Sequence, residues 1–363
     1  AMPSDLRDEL VAITCDLMRF ESIADRPDQL AAVIDYAAAY LATIPDIFVE
    51  RSEADGKPAL VATLRPTRAP ALMINGHLDV VVGRPEQFHP ELRDGRIYGR
   101  GSQDMKGSCA VMLRLLRELA ARPERPDVGF QFVTDEEIGG KHGTGRLLEE
   151  GWRCDFMLCL EPTDMGILFE HKGGMWVELR LPGRPAHGSR PWDGHNPVHD
   201  LARGLMEIER RFPAPAGPQE WHTTVTPTML QAGAGSRNQV PAAANVTFDI
   251  RWTTDTTPEA ISATLAECFP SAELLVSASG PGLFTDPEHP EVCRVADIVE
   301  QRLGQTPRFY REHFATDARY YTNAGMPAIC LGPIGAGLHS DEEWVAIDSL
   351  VDLYHVLADY VAP

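Results

Sequence analysis

Near the start of the chain, apolar residues recur about every 3.6 positions, with Leu30, Val33, Ile34, Ala37 and Leu41 on one stripe. This spacing predicts amphipathic helices over residues 5 to 20 and 27 to 43. The rhythm then changes to short apolar runs at Ala59 to Leu64, Ala71 to Ile74, Val128 to Val133 and Phe156 to Leu160. A helix is expected from Gly107 to Ala121, with Leu113, Leu115 and Leu116 in the core. Strands alternating with helices predict an α/β domain with a mixed, mainly parallel sheet flanked by helices.

From Met175 the period becomes two: Met175, Val177, Leu179 and Leu181, and later Val246, Phe248, Ile250 and Trp252. This marks strands of a sheet with one wet face. Helices are expected at Val198 to Arg211 and Pro258 to Cys268, and the Gly- and Pro-bearing stretch from 277 to 290 reads as a loop. The α/β rhythm resumes with a helix at 291 to 303, a strand at Ala328 to Leu331 and a closing helix from Ile347 to Tyr360. The expected organisation is an α/β domain made of residues 1–174 and 286–363, with an α+β insert at 175–285.

Composition excludes several function classes. The 363 residues are 44% hydrophobic and 24% charged, ordinary for a globular chain, and no apolar run approaches the roughly 20 residues of a membrane span. Lys and Arg number 33 against 53 Asp and Glu, so the formal charge of −20 argues against nucleic acid or an anionic membrane as partner. Seven cysteines with no C-x-x-C pair give neither a disulfide framework nor a thiolate zinc site. The first twenty residues carry charges throughout and lack a signal-type apolar stretch. The expected compartment is the cytoplasm.

Polar clusters follow the apolar runs, where open α/β sheets build their sites. His77 and Asp79 follow ALMIN, Asp135-Glu136-Glu137 follow FQFVT, Glu161 follows FMLCL, and His339 follows AICLGP and a glycine-bearing turn. Asp104 lies in GRGSQDMKG just before a helix. Singly, each has an ordinary structural explanation. Together, imidazoles and carboxylates without thiolates form a ligand set suited to zinc, cobalt or manganese. The acidic run Asp341-Glu342-Glu343 reads as the start of a solvated turn.

The segments GHLDVV, YGRGSQDMKG, VTDEEIGG, CLEPT, GRPAHGSRP and LHSDEEW resemble the dinuclear zinc hydrolases that include acetylornithine deacetylase, succinyl-diaminopimelate desuccinylase, aminoacylase and glutamate carboxypeptidase. The resemblance spans the chain. It implies a zinc-binding catalytic domain with an inserted lid and dimerisation domain, two Zn2+ ions (Co2+ or Mn2+ as substitutes) and a homodimer. It implies that Asp104 bridges the metals, that Glu137 and His339 complete one ligand set, and that His77 and Glu161 serve the other. Asp79 would orient His77, and a cis peptide would follow Asp104. Glu136 would act as general base toward a metal-bridging water, and the lid residue His187 would reach into the active site of the partner subunit and steady the oxyanion there.

Asn238, Arg251, Gly335 and Gly337 are the substrate-facing candidates. Arg251 suits capture of a carboxylate or a structural ion pair equally, and the glycines suit either close backbone approach or a turn. His171-Lys172-Gly173-Gly174 stands where desuccinylases carry Arg-Arg-Gly-Ser, which leans toward the acetylornithine deacetylases. Residues 315 to 318 read Ala-Thr-Asp-Ala where the family commonly has Gly-Thr-Ser-Asp. The expected reaction is removal of an acyl group from a small N-acyl amino acid with a free carboxylate. Cleavage of dipeptides or C-terminal residues is the alternative, and a catalytically inactive binding relative is a third reading.

Overall fold

The computed structural model describes residues 5–233 and 235–362. The chain divides into two compact units, one made of Ala1–Glu170, Leu283–Glu312 and Thr316–Pro363, the other of His171–Gly282 and His313–Ala315.

The first unit is built on a nine-stranded sheet. Its order runs Phe48–Ala54, Lys57–Thr63, Val128–Val133, Leu72–His77, Phe156–Cys159, Ala328–Cys330, Ile167–His171 and Leu283–Phe284, with Phe309–Glu312 paired to Ile167–His171. Pairing is parallel through the four strands from Val128–Val133 to Ala328–Cys330 and antiparallel where Lys57–Thr63 and Ile167–His171 join them. These four central strands are buried along their whole length, as expected of parallel strands covered on both faces.

Helices Leu6–Met18, Pro27–Leu41, Gly107–Ala120, Pro290–Leu303 and Ile347–Tyr360 supply much of that cover. The first begins where the Asp5 side chain accepts from the Arg7 N–H, and the second has Pro27 at its first position, where a missing N–H costs nothing. A small second sheet joins Gly335–Ala336, Trp344–Ala346, Arg96–Tyr98 and Glu91–Arg93. All seven cysteines are free thiols, and no helix among the described residues is long and apolar enough to cross a membrane.

The second unit is a four-stranded sheet ordered Thr224–Ala232, Ala243–Trp252, Gly173–Pro182 and Glu273–Gly280, antiparallel throughout. Met175, Val177, Leu179, Leu181, Val246, Phe248 and Ile250 pack on helices Pro197–Arg211 and Pro258–Cys268 through Leu201, Ile208, Ile261, Leu265 and Phe269. Residues 277–280, expected as loop, belong instead to strand Glu273–Gly280. That strand lies at the sheet edge and is exposed on both faces, so it carries no alternation for a sequence to display.

Candidate metal centre

Parallel pairing places the carboxyl ends of adjacent strands side by side. His77 ends its strand opposite Val133, and Asn75 is level with Cys159, so Glu161 falls level with His77. Asp104 comes from the segment entering helix Gly107–Ala120. His339 comes from the turn between the short strands Gly335–Ala336 and Trp344–Ala346, with φ of 58°. The Asp104–Met105 peptide bond is cis.

The side chains form two triads that share one carboxylate. In each triad the ligand atoms lie within 4.8 Å of one another: His77, Asp104 and Glu161 in the first, Asp104, Glu137 and His339 in the second. His77 Nε2 is 2.9 Å from Asp104 Oδ1 and 3.9 Å from Glu161 Oε2. His339 Nε2 is 3.2 Å from Asp104 Oδ2 and 3.3 Å from Glu137 Oε2. The first triad is buried, whereas the His339 side chain is 48% exposed.

Orientation of His77 differs from the expectation in one respect. Its Nδ1 lies 2.9 Å from the main-chain oxygen of Asp79, and the Asp79 carboxylate is farther, at 3.5 Å. A carbonyl can only accept, so Nδ1 carries a proton, and without a metal Nε2–H donates to Asp104 Oδ1; a metal held at Nε2 would take the place of that second proton. One oxygen of that carboxylate, Oδ2, accepts the Glu137 N–H at 3.0 Å, while Oδ1 is the oxygen that faces the His77 ring.

Burial raises the carboxyls of Glu136 and Glu161 well above the usual carboxylate range. Neighbouring carboxylates add to the rise in both, and His77 offsets it in part. Burial would lift Asp104 too, but hydrogen bonds with His339 and His77 outweigh it and pull this carboxyl below the usual range. His77 is raised despite a burial effect that would lower it, because Asp104, Asp79 and Glu161 surround it. Hydrogen bonds to Asp104 and Glu137 push His339 up to about 10. The donor set of imidazole nitrogens and carboxylate oxygens fits a divalent ion of the zinc, cobalt or manganese type. Glu137 Oε1, buried with no hydrogen-bond partner, is a further oxygen left for such an ion.

Two supports were not visible in the sequence. The turn carrying Glu136 and Glu137 is held by the Gly139 carbonyl, which accepts from Arg319 Nη2 at 2.8 Å and from the Tyr320 hydroxyl at 2.5 Å. Glu343, expected in a solvated turn, is 1% exposed and paired with Arg100 at 2.6 Å. A run of three acids reads as surface by composition alone, and the partner lies far away in sequence.

The substrate-facing candidates separate. In the second unit His187 and Asn238 lie together: Gly188 N–H donates to the Asn238 carbonyl at 2.6 Å, and His187 forms a bridge with Gln239. His187 Nδ1 accepts the Ser189 N–H at 3.2 Å, which leaves Nε2 as the protonated nitrogen of the neutral ring. Arg251 is engaged by Asp249, at 2.7 and 3.0 Å. In the first unit the Gly335 N–H donates to Asp164 Oδ1 at 3.2 Å. Gly337 has φ of 80°, and a Cβ there would stand 2.4 Å from the Glu342 carbonyl oxygen, so the turn itself requires glycine.

Candidate nitrogen and oxygen ligands thus gather around the carboxyl ends of parallel strands, the arrangement of a candidate metal centre in an α/β domain. The sequence model of Peptidase family M20/M25/M40 matches residues 73–362. The chain belongs to that family, whose members are metal-dependent hydrolases acting on amide bonds. It is 29% identical over 309 residues to a succinyl-diaminopimelate desuccinylase of Stenotrophomonas maltophilia, covering 78% of this chain and 80% of that protein. Its fold is similar to that of aminopeptidase PepT from Bacillus cereus, with a TM-score of 0.78, 20% identity and 98% of both chains covered. It is also similar to the Bacillus subtilis YXEP protein, described as a dinuclear metal binding peptidase, with a TM-score of 0.71 and 14% identity, covering 98% of this chain and 97% of that one.

Proposed function

We propose that the protein removes an acyl group from an N-acyl amino acid carrying a free carboxylate, using two divalent ions held by His77, Asp104, Glu161, Glu137 and His339, with zinc the preferred metal. The observation that carries this reading is the pair of triads sharing Asp104, with Glu136 beside them on the Glu137 turn. When bound, such a pair of ions supplies Lewis acidity toward the scissile carbonyl and acidifies water at the centre.

Glu136 takes the proton from the attacking water and returns it to the leaving nitrogen, so that amide and water become carboxylate and amine. Its raised pKa suits it to hold that proton between the two transfers. Nε2–H of His187 is the donor for the oxyanion, and Asn238 shares its loop neighbourhood. The desuccinylase relative supports acyl transfer from an amino acid, whereas the segment His171–Gly174 leans toward an acetyl substrate.

The unit His171–Gly282 serves in this reading as lid and dimerisation domain. Sedimentation of the purified protein as a monomer across micromolar concentrations would remove that part of the proposal. The compartment in this reading is the cytoplasm.

The test is an activity screen of zinc-, cobalt- and manganese-loaded protein on N-acetyl amino acids, N-succinyl amino acids and dipeptides, beside Glu136→Ala. Turnover of one acyl class, lost in the variant, supports the proposal and chooses between acetyl and succinyl. Turnover of dipeptides alone rejects it.

A further inference from the structure

Glu343 lies outside both triads, yet it is the buried carboxylate that joins the two chain segments delivering Asp104 and His339. Its side chain has no exposed surface, and that of Arg100 is 3% exposed. Oε2 accepts from Arg100 Nη1 at 2.6 Å, while Oε1 accepts the main-chain N–H groups of Gln103 at 3.1 Å and Asp104 at 3.2 Å. The Glu343 carbonyl accepts the Gly99 N–H at 2.9 Å, and the following residue, Trp344, pairs with Tyr98. Four residues earlier in the same segment stands His339. Its loop is tied once more to the first unit by Gln87 Nε2, which donates to the Ser340 carbonyl at 3.0 Å.

We infer that Glu343 is a positioning residue: by gripping the amides of Gln103 and Asp104 while anchored to Arg100, it sets Asp104 and His339 in register and so builds the half-exposed triad Asp104–Glu137–His339. The physical grounds are those of any preformed ligand set. A shared carboxylate can point one oxygen at each imidazole only if its main chain is fixed, and groups that hold ligands typically tune metal affinity about 10- to 100-fold. In the buried triad the two ligands other than the shared Asp104 have supports of their own. His77 is oriented by the Asp79 carbonyl, and Glu161 is carried by a central strand. The half-exposed triad has its histidine on a turn, and Glu343 connects that turn to Asp104.

The inference rests on the metal-centre reading above, and the experiment separates the two. Zinc is titrated calorimetrically into metal-free wild type, the apolar pair Arg100→Leu/Glu343→Leu, and the neutral polar pair Arg100→Met/Glu343→Gln, and thermal unfolding of each metal-free protein is recorded. The apolar pair removes the acceptor without leaving an unpaired buried charge, though it leaves the Gln103 and Asp104 N–H groups unpaired, so the protein should fold with a lowered unfolding temperature. The expected result is two equivalents in wild type. In the apolar pair the equivalent that depends on His339 should weaken at least tenfold more than the other, which shares Asp104 and weakens in part, and metal-free unfolding should remain a single transition at a lowered temperature. The polar pair retains an acceptor oxygen for the two amides and should recover the weakened equivalent to within a few fold. Two equivalents of wild-type affinity in the apolar pair, or parallel loss of both in a folded protein, overturns the role of Glu343. Fewer than two equivalents in wild type overturns the metal-centre reading, and this inference with it.

Discussion

The imidazole of His77 is held by the main chain of Asp79, whose carbonyl oxygen is 2.9 Å from Nδ1, and the Asp79 side chain is left to hold the Glu137 amide. The carbonyl alone is enough to keep the proton on Nδ1 when the carboxylate is removed. Asp79→Ala should leave the first triad intact while stranding a Glu137 N–H in a half-buried place, at a cost of about 1–3 kcal/mol. Metal titration is expected to show the loss on the Glu137 side. Selective loss at the His77 side would show that the carboxylate, rather than the carbonyl, orients the imidazole.

Removing the proposed proton carrier should leave the ligands in place. Glu136→Gln is expected to lower kcat by about 10²- to 10⁴-fold with metal stoichiometry unchanged. A fall in bound metal to match the loss of turnover would make Glu136 a ligand.

In the proposed centre protons and metal would compete at His339. Its folded-state pKa of about 10 lies above the unfolded value of about 6.5, so in the metal-free protein its ion pairs contribute fully below about pH 6.5 and are lost as the pH rises through 10. Thermal unfolding of the metal-free protein should therefore weaken across this window, and His339→Ala should flatten the decline. Metal binding must expel the proton, so affinity at the half-exposed triad should increase with pH over the same range. A metal-free unfolding profile identical in wild type and variant would show that the ion pairs carry no stability.

Packing in the second unit is tight at one glycine. A Cβ on Gly204 would stand 2.0 Å from the Phe269 ring, so Gly204→Ala should destabilise that unit by about 1–3 kcal/mol despite the better helix propensity of alanine. Metal uptake at the first unit should be unchanged. An unfolding temperature at or above wild type would mean that Phe269 has room to turn.

The parts of the fold legible in the sequence are those where burial imposes a period. Val128–Val133 reads as an apolar run, broken by the buried polar Gln131, because both faces are covered, and Gly173–Pro182 alternates because one face is wet. Strands Phe48–Ala54 and Glu273–Gly280 were silent because their side chains are largely exposed, and the short strands around Tyr98 and Trp344 are too brief to show a period. The residues that form the two triads were legible because strand ends and a helix entrance announce themselves by what precedes them. What holds them was not. Arg319 and Tyr320 reach Gly139, and Arg100 reaches Glu343, across separations that no local pattern records.

The unequal exposure of the two triads also sets an order in time. In the proposed centre an ion held by His77 would be surrounded by buried side chains, whereas one held by His339 would be bound by a residue that is half open. Exchange with the medium should therefore be sequential: the outer position empties first under a chelator and fills last on reconstitution. A preparation handled carelessly would then be a mixture of half-loaded molecules, uniform by fold and heterogeneous in activity.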